Sequence, residues 1–334
     1  MDKGLTGQRD IKKMQALASA SVSLWGLSGS LKLLGETENL VYEVDGHILR
    51  LTENHHRTVS ELTAELDFIS ALSDAGVSVA QPLKSSHDIL VETVEGYHIS
   101  VFKKAKGDVK KPKEAFLSLE TARNLGRELG KTHKVTKTYV PKKNKRHQSS
   151  DIPYNKDGLS FIPVTDDIAV REFKKAMDWV KTLPKDNNVF GLVHMDAHTG
   201  NFCVDKNEKI TLFDFDDCAY NFFAYDLAIP LNHLKFSKLS DTQKQKAREA
   251  LLEGYTEEYI LPQEHLDMID GFIRFRNIEM YAWTCMMFGA PEKDGKELSF
   301  VSHYQLTEDF TKPYPVFKNG QQPDKKYPPN LPKL

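Results

Sequence analysis

The residues of this 334-residue chain with the clearest chemical potential lie in the segment VFGLVHMDAHTGNFCVDKNEKITLFDFDD, which begins at Val189. His194 and Asp196 follow an apolar strand, and Asn201 comes five residues after Asp196. A predicted strand, a turn and a second strand then lead to Asp214. Carboxylate and amide oxygens suit a hard cation such as Mg²⁺, and a separate carboxylate can orient a hydroxyl group and accept its proton. The segment therefore predicts chemistry at a metal ion and a hydroxyl group.

The pattern H-x-D-x-x-x-x-N, followed by a short hairpin that ends in Asp, resembles the catalytic core of kinases. The resemblance implies three catalytic residues: Asp196 is the base that accepts the hydroxyl proton, while Asn201 and Asp214 bind the metal. His194 supports the loop. Phosphoryl transfer depends mainly on positioning and on charge neutralisation, and these side chains provide both.

The residues after Asp214 separate this chain from protein kinases, which carry DFG and, further on, APE. Here the chain reads Asp214-Phe-Asp-Asp and then Tyr225-Asp-Leu-Ala. This pattern is similar to the aminoglycoside phosphotransferase-like kinases, a family that includes choline kinases, homoserine kinases, spectinomycin phosphotransferases and the bacterial stress-response kinase. The resemblance covers most of the chain and implies an ATP- and Mg²⁺-dependent phosphotransferase whose acceptor is a hydroxyl group of a small molecule.

The same resemblance implies an α+β, bilobal protein-kinase-like fold, with a small antiparallel-sheet N-lobe and a larger, mainly helical C-lobe. Two Lys-rich stretches, residues 103–113 and 134–146, are predicted to be a linker and a surface loop. We therefore expect an N-lobe over residues 1–105 and a C-lobe over residues 106–315. The proline-rich residues 316–334 are predicted to form an extended or disordered tail.

A hairpin in the N-terminal third is expected to position part of the site. The strands Leu40-Val-Tyr-Glu-Val and His47-Ile-Leu-Arg-Leu flank Asp45-Gly46, a pair that favours a type I′ turn. Pairing Val44 with His47 places one face in the core and leaves Arg50 on the other face, among aliphatic side chains. The core face is the more uniformly apolar one, and it carries Leu40, Tyr42, Val44, Leu49 and Leu51.

A helix is predicted from about Val59 to Ala75, because leucine and isoleucine recur at helical spacing and Gly76 follows. At about 100° per residue, Glu65 falls inside the apolar arc of this helix. A buried carboxylate is costly unless it is paired, so we predict an ion pair between Arg50 and Glu65. The alternative is that the helix is half covered and Glu65 reaches solvent.

The family resemblance places ATP beneath the hairpin. Val41 covers the adenine from above, Ile48 lies at the adenine, Arg50 contacts the phosphates and Glu65 orients Arg50. Arginine stands where the family more often has lysine; it keeps the charge but changes the geometry. The hinge, whose backbone binds adenine, corresponds to Phe102, Lys103, Lys104 and Ala105, and Asp226 would brace the catalytic loop.

Two residues are candidates for contact with the acceptor. Asp216 is expected to share a strand face with Asp214 and could attract a cationic substrate, such as homoserine, an amino alcohol or an aminoglycoside; a supporting role at the metal or helix capping is equally open. Trp283 lies in an apolar helical stretch that also carries Arg276 and Glu279. The resemblance puts this helix beside the acceptor pocket, whereas a core role is the alternative for Trp283.

Composition excludes several other functions. Lys+Arg number 45 and Asp+Glu 47, a net charge of −2, so no polyanion or nucleic-acid partner is predicted. No window is long and apolar enough to span a membrane, and no secretory signal is visible at the N-terminus, so we expect a cytoplasmic protein. The three cysteines form no CxxC pair and are expected to be buried. Oligomeric state is not predicted.

Three other functions compete with a small-molecule kinase. A protein Ser/Thr kinase of the stress-response type would share the fold and would phosphorylate a protein acceptor. A metallohydrolase could bind zinc through His194, Asp196 and His198, with Asp214 and Asp216 as further ligands. Substitution of His198 should then abolish activity, whereas it should affect a kinase only modestly. A pseudokinase would bind a partner without turnover, although Asp196, Asn201 and Asp214 are all present.

Overall fold

The chain forms two compact units in the computed structural model, which describes residues 11–36, 38–111, 114, 116–293, 296–297, 299–300 and 316–317. The first unit comprises Met1–Gly107, Tyr139–Arg146 and Thr211–Asp216, and the second comprises Asp108–Thr138, His147–Ile210 and Asp217–Leu334. Two later segments thus belong to the same unit as the N-terminal residues. The expected boundary after residue 105 divides the chain only once and does not include these segments in the N-lobe. The predicted tail over residues 316–334 lies outside the described residues, apart from 316–317.

The first unit contains an antiparallel sheet and two helices. The helices are α1 (Ile11–Ser21) and α2 (Val59–Asp74). The strands are β1 (Lys32–Gly35), β2 (Leu40–Val44), β3 (His47–Glu53), β4 (Pro82–Leu83), β5 (Glu92–Val94) and β6 (Tyr97–Lys103). Their order is β1-β2-β3-β6-β4, and β5 also pairs with β6.

The β2–β3 hairpin has the predicted register, with Val44 opposite His47 and Val41 opposite Arg50. Asp45 and Gly46 have φ values of 48° and 69°, the left-handed conformations that a type I′ turn requires. The predicted core face is buried and packs with Met14, Leu17 and Ala18 of α1. Turn chemistry and alternation along the strands therefore determine which face of the sheet carries Arg50.

Helix α2 ends one residue before the predicted Ala75, and Gly76 follows with a φ of 84°. Its start is stabilised by a capping box, in which Thr58 and Glu61 each accept a backbone N–H of the other. Glu65 lies on the buried face and has 0% exposure. The alternative in which Glu65 reaches solvent is therefore wrong.

Two later segments of the chain complete the first unit. The N–H of Leu212 donates to the carbonyl of Ser78 at 2.8 Å, and the N–H of Ala80 donates to the carbonyl of Leu212 at 2.8 Å. The ring of Phe68 on α2 lies 6.1 Å from that of Phe215. The stretch at 134–146 is not wholly the predicted surface loop, because Arg146 is buried with 3% exposure.

The second unit is mainly helical. Its helices are α3 (Leu119–Thr136), α4 (Pro153–Lys156), α5 (Asp167–Thr182), α6 (Phe223–His233), α7 (Asp241–Glu258), α8 (Gln263–Asp267) and α9 (Ile269–Phe288). Its strands are β7 (Asp108–Val109), β8 (Phe190–Val193), β9 (Phe202–Val204), β11 (Ala219–Phe222), β12 (Pro291–Lys293), β13 (Lys296–Glu297) and β14 (Val316–Phe317), while β10 (Ile210–Leu212) continues into the first unit. The predicted fold class is confirmed.

Helices α3 and α7 approach each other at glycines. A Cβ atom on Gly126 of α3 would lie 1.9 Å from the carbonyl oxygen of Leu251, and one on Gly254 of α7 would lie 2.0 Å from that of Arg123. Both distances are far below van der Waals contact, so only glycine permits this close packing.

The burial of the three cysteines agrees with the expectation from the sequence. Cys203, Cys218 and Cys285 are all buried. Within the described ranges, no helix combines the length and the apolar character needed to cross a membrane.

Candidate active site

The loop that follows β8 carries His194, Met195 and Asp196, and Asp226 in the first turn of α6 holds it in place. The carboxylate of Asp226 accepts the N–H of Met195 at 2.8 Å and that of His194 at 3.3 Å. Met195 has a φ of 70°, a left-handed conformation that is unfavourable for a residue other than glycine. His133 Nε2 lies 3.1 Å from the same carboxylate. The predicted role of Asp226 as a brace is confirmed.

Asn201 is oriented by Asp196. Its side-chain Nδ2 donates to the backbone oxygen of Asp196 at 2.9 Å and to the carboxylate Oδ2 at 3.0 Å. These two bonds fix the amide so that its NH₂ group faces Asp196 and its carbonyl oxygen faces away. An amide oxygen held in this way is a suitable ligand for a hard cation.

His198 also contacts the carboxylate of Asp196. The N–H of Gly200 donates to His198 Nδ1 at 2.8 Å, so the ring proton is on Nε2. That nitrogen lies 3.2 Å from Asp196 Oδ2. Sequence analysis assigned His198 only to the metallohydrolase alternative and did not identify this contact; its signal was the position of His198 two residues after Asp196.

The histidines of this loop are not arranged as a zinc site. His194 Nδ1 accepts the N–H of Asp196 at 3.3 Å, and both ring nitrogens of His198 are engaged within the loop. Within the described part of the chain, the possible metal-binding group is Glu38, His56 and Asp216, which belongs to the first unit. The metallohydrolase alternative is therefore not supported.

Arg276 of α9 contacts Asp196, and sequence analysis did not predict this contact. Its Nη2 donates to Asp196 Oδ1 at 2.9 Å, and only 5% of its side chain is exposed. The sequence contains a signal, because Arg276 interrupts an apolar helical stretch. No local pattern indicates which carboxylate it meets, since Asp196 lies 80 positions earlier.

A buried polar network holds Arg276 in turn. Its Nη1 donates to Glu279 Oε2 at 3.1 Å and contacts the hydroxyl oxygen of Tyr225 at 2.9 Å. Tyr225 donates to Glu279 Oε2, and Asn155 donates to Glu279 Oε1 at 2.7 Å. Burial alone would lower the pKa of Arg276, but its surroundings, including Tyr225, Glu279 and Asp196, hold that pKa well above its usual value. Arg276 is therefore charged beside Asp196.

In the first unit, the predicted ion pair between Arg50 and Glu65 is confirmed. Arg50 Nη1 and Nη2 donate to the two carboxylate oxygens of Glu65 at 2.8 and 2.9 Å. The side chains are 7% and 0% exposed, and the guanidinium lies 5.2 Å from the ring centroid of Phe102. Burial alone would lower the pKa of Arg50, but Glu65 together with the charges of Asp216 and Asp214 raises that pKa above its usual value. A bidentate pair of this kind fixes the cation in one orientation.

Asp216 is surrounded by arginine and histidine side chains of the first unit. Its Oδ2 lies 3.5 Å from His56 Nε2 and 3.5 Å from Arg57 Nη2, and its Oδ1 lies 3.9 Å from Arg50 Nη1. Arg146 donates to its backbone oxygen at 2.6 Å. Burial would raise the pKa of Asp216, but Arg57, His56 and Arg50 hold it well below the usual range. Its attraction for a cationic substrate stays a prediction, and the described contacts instead link the three segments of the first unit.

The proposed ATP contacts on the sheet lie on one face. Val41 and Ile48 are half-buried on the face that carries Arg50, opposite the core face. In the hinge segment, Phe102 is buried, and the N–H of Lys103 donates to the carbonyl of Gln81 at 2.9 Å. Ala105 is half-buried. The roles of these residues in binding adenine stay predictions.

Two further predicted residues have different surroundings. Asp214 is exposed and has a φ of 65°, a left-handed conformation that Asp tolerates better than most residues. Trp283 is half-buried on α9, with its ring 5.8 Å from that of Phe288. The metal role of Asp214 and the substrate role of Trp283 stay predictions.

Comparison with known proteins gives consistent matches. Residues 30–264 match the phosphotransferase enzyme family. The amicoumacin kinase of Bacillus subtilis (strain 168) is 31% identical over 299 residues, which cover 84% of this chain and 88% of that protein. A homoserine kinase of Sinorhizobium fredii is 24% identical over 260 residues, covering 73% of this chain and 75% of that protein.

Solved structures match over most of the chain as well. The structure of an amicoumacin kinase in complex with AMP-PNP, Ca²⁺ and Ami has a TM-score of 0.76 and 26% identity, and the match covers 92% of this chain and 98% of that one. A microcompartment-associated aminopropanol kinase, at 23% identity, has a TM-score of 0.67 over 82% of this chain and 89% of that one, and it shows the shared fold. With a matching family profile, a similar curated kinase and the braced Asp196–Asn201 loop, this chain belongs to the phosphotransferase enzyme family.

Proposed function

We propose that this protein transfers the γ-phosphoryl group of ATP, in the presence of Mg²⁺, to a hydroxyl group of a small amine-bearing alcohol. The observation that carries the proposal is the loop in which the Asp196 carboxylate is held by Asn201, His198 and Arg276. A carboxylate fixed on several sides can orient an acceptor hydroxyl and accept its proton as the phosphorus–oxygen bond forms. Such positioning is the main demand that phosphoryl transfer makes on a protein.

The metal and the nucleotide have separate groups in this proposal. Asn201 and Asp214 supply oxygen ligands, the donor type that Mg²⁺ prefers, and the metal neutralises phosphate charge when it is bound. Arg50, fixed by Glu65, adds a positive charge for the phosphates. Val41, Ile48, Phe102, Lys103 and Ala105 bind the adenine through apolar contact and through the hinge backbone.

The class of acceptor is inferred from relatives. The names of similar proteins include an amicoumacin kinase, an aminopropanol kinase, a choline/ethanolamine kinase family protein and homoserine kinases. Several of these names refer to a substrate that has both a hydroxyl group and an amino or ammonium group. A protein Ser/Thr kinase is the second candidate, because it requires the same catalytic groups and differs only in the acceptor.

The test is Mg²⁺-dependent transfer from γ-labelled ATP to a panel of acceptors. The panel contains amicoumacin A, 1-amino-2-propanol, homoserine, choline, spectinomycin and casein. We expect one small acceptor to be labelled by the wild-type protein. Labelling should be lost in Asp196→Asn, which keeps the size of the side chain but removes its charge and replaces one acceptor oxygen with an NH₂ group. Binding of AMP-PNP is measured in parallel and should be retained in this variant.

Each outcome has a distinct meaning. Labelling of casein alone would show that the protein kinase alternative is correct. Equal labelling by wild type and Asp196→Asn would refute the assignment of the base. If AMP-PNP binds but no acceptor is labelled and no ATP is hydrolysed, the result would favour a pseudokinase.

A further inference from the structure

We propose that Arg276 is a positioning residue for phosphoryl transfer, which directs the acceptor hydroxyl to Oδ1 of Asp196, and that Glu279 holds Arg276 in the required orientation. The inference rests on the proposed function, because it assumes that Asp196 is the base. It assigns a role to α9, whose polar residues the sequence pattern leaves without a function.

The hydrogen bonds at the carboxylate divide its two oxygens. Oδ2 accepts a hydrogen bond from Asn201 Nδ2 at 3.0 Å and lies 3.2 Å from His198 Nε2. Oδ1 receives Arg276 Nη2 at 2.9 Å. A carboxylate oxygen has about two acceptor directions; Asn201 takes one of those on Oδ2, and the His198 ring nitrogen lies close to the same oxygen. An incoming hydroxyl therefore approaches Oδ1, the oxygen whose position Arg276 fixes.

Arg276 is itself fixed rather than mobile. The side chain is 5% exposed, and Nη1 contacts both Glu279 Oε2 and the Tyr225 hydroxyl. Glu279 is 0% exposed and also accepts from Asn155 Nδ2. The guanidinium thus has one nitrogen on the Asp196 carboxylate and the other on a buried network. The positive charge of the buried Arg276 is shared between the carboxylates of Glu279 and Asp196. Arg276 therefore does not fully neutralise the negative charge of Asp196.

Geometry distinguishes arginine from lysine at this position. The planar fork of arginine can bond the Glu279–Tyr225 side and the Asp196 side at the same time, whereas an ammonium group cannot span both with fixed directions. Arg276→Lys should therefore keep the charge and lose part of the alignment. Arg276→Gln should lose both. Displacements of about 1 Å at a reacting group can reduce rates by about a hundredfold.

The experiment measures kcat and KM with the acceptor identified by the labelling panel, or with water as acceptor through Mg²⁺-ATP hydrolysis if no panel member is labelled. We expect kcat to fall by about tenfold to a hundredfold in Arg276→Gln and by a smaller factor in Arg276→Lys. KM for ATP should change less than about twofold in both, because Arg276 acts on the acceptor side. Arg274→Gln is the matched control, since Arg274 is exposed on the same helix, and its kinetics should equal those of wild type.

The outcomes separate this inference from the proposed function. A lower thermal stability of Arg276→Gln with an unchanged kcat per folded molecule would show a purely structural role and overturn the inference. Equal losses in Arg276→Lys and Arg276→Gln, together with a higher KM for ATP, would also contradict it. If Asp196→Asn were fully active, the proposed function would fail first; if Asp196→Asn were inactive while Arg276→Gln equalled wild type, only the role of Arg276 would be wrong.

Discussion

Replacing one or both members of the Arg50–Glu65 pair with apolar residues tests the buried charges of the first unit. The variants are Arg50→Met, Glu65→Leu and the double variant, which exchange charged groups for apolar side chains of comparable size. Both side chains are almost fully buried and share two hydrogen bonds. Each single variant therefore leaves one buried charge without its bidentate partner.

The expected magnitudes follow from what remains around each charge. Removing one partner of a buried ion pair destabilises a protein by about 3–5 kcal/mol. In Glu65→Leu, Arg50 still has Asp216 at 3.9 Å, so we expect the lower end, about 3 kcal/mol. Arg50→Met leaves a fully buried Glu65 carboxylate and should reach the upper end, about 5 kcal/mol. Replacing both charges with apolar groups is often close to neutral, so the double variant should be more stable than either single variant.

Two measurements follow these changes. Urea unfolding monitored by circular dichroism gives the free energy of unfolding, and hydrogen exchange of peptides from β3 and α2 reports on the first unit directly. Lys84→Met is the control, because Lys84 pairs with Asp88 on the surface at 2.7 Å with 56% and 84% exposure. We expect this control to lose less than about 1 kcal/mol.

The reasoning would be refuted by additive losses. If the double variant lost the sum of the two single losses, Arg50 and Glu65 would stabilise the protein independently and their pairing would carry no energy. Losses below about 1 kcal/mol in both single variants would show that water reaches the pair and screens it.

Three further predictions concern the brace, a helix contact and a cap. Asp226→Asn should lower kcat and the free energy of unfolding, the latter by about 1–3 kcal/mol, because two backbone N–H groups lose a charged acceptor; kinetics and urea unfolding measure both. Gly254→Ala should destabilise the protein by about 2 kcal/mol or more despite the higher helix propensity of alanine, whereas the melting temperature of the exposed Gln245→Ala should not fall. Burial would raise the pKa of Glu61, but hydrogen bonds from Thr58 and the charges of Arg57 and Arg146 together lower that pKa. Its stabilisation is therefore present above about pH 4.3 and is lost as the pH falls through the lowered value, so the melting temperature of Glu61→Gln should fall less steeply at acid pH than that of wild type.

Short-range patterns predicted the parts of the site that lie on regular elements. The Asp45-Gly46 turn determines the register of the hairpin and hence the face of Arg50, and helical spacing places Glu65 on the buried face of α2. A charged residue on each of two buried faces was sufficient to predict their pairing, because an unpaired buried charge is too costly.

Contacts between distant segments could not be predicted in this way. Helix α9 is buried over much of its circumference, so periodicity gives no direction for Arg276, and its partner Asp196 is in a loop. Arg146 stands in a Lys-rich stretch typical of a solvated surface, yet it donates to the backbone oxygens of Asp216 and Glu61. In both cases tertiary packing determines the partner, and the types and spacing of neighbouring residues do not indicate it.

The composition of the first unit constrains the order in which the nascent chain can fold. During synthesis, residues up to Gly107 leave the ribosome long before Leu212, whose backbone bonds Ser78 and Ala80. Until Leu212 is made, the carbonyl of Ser78 and the N–H of Ala80 lack their native hydrogen-bond partner. Arg57 likewise lacks the carboxylate of Asp216. The strands of the N-terminal sheet are all made by the time that Gly107 is made, but the first unit is complete only after more than 100 further residues have been made. A fragment that ends at Gly107 would therefore lack part of the fold of this unit.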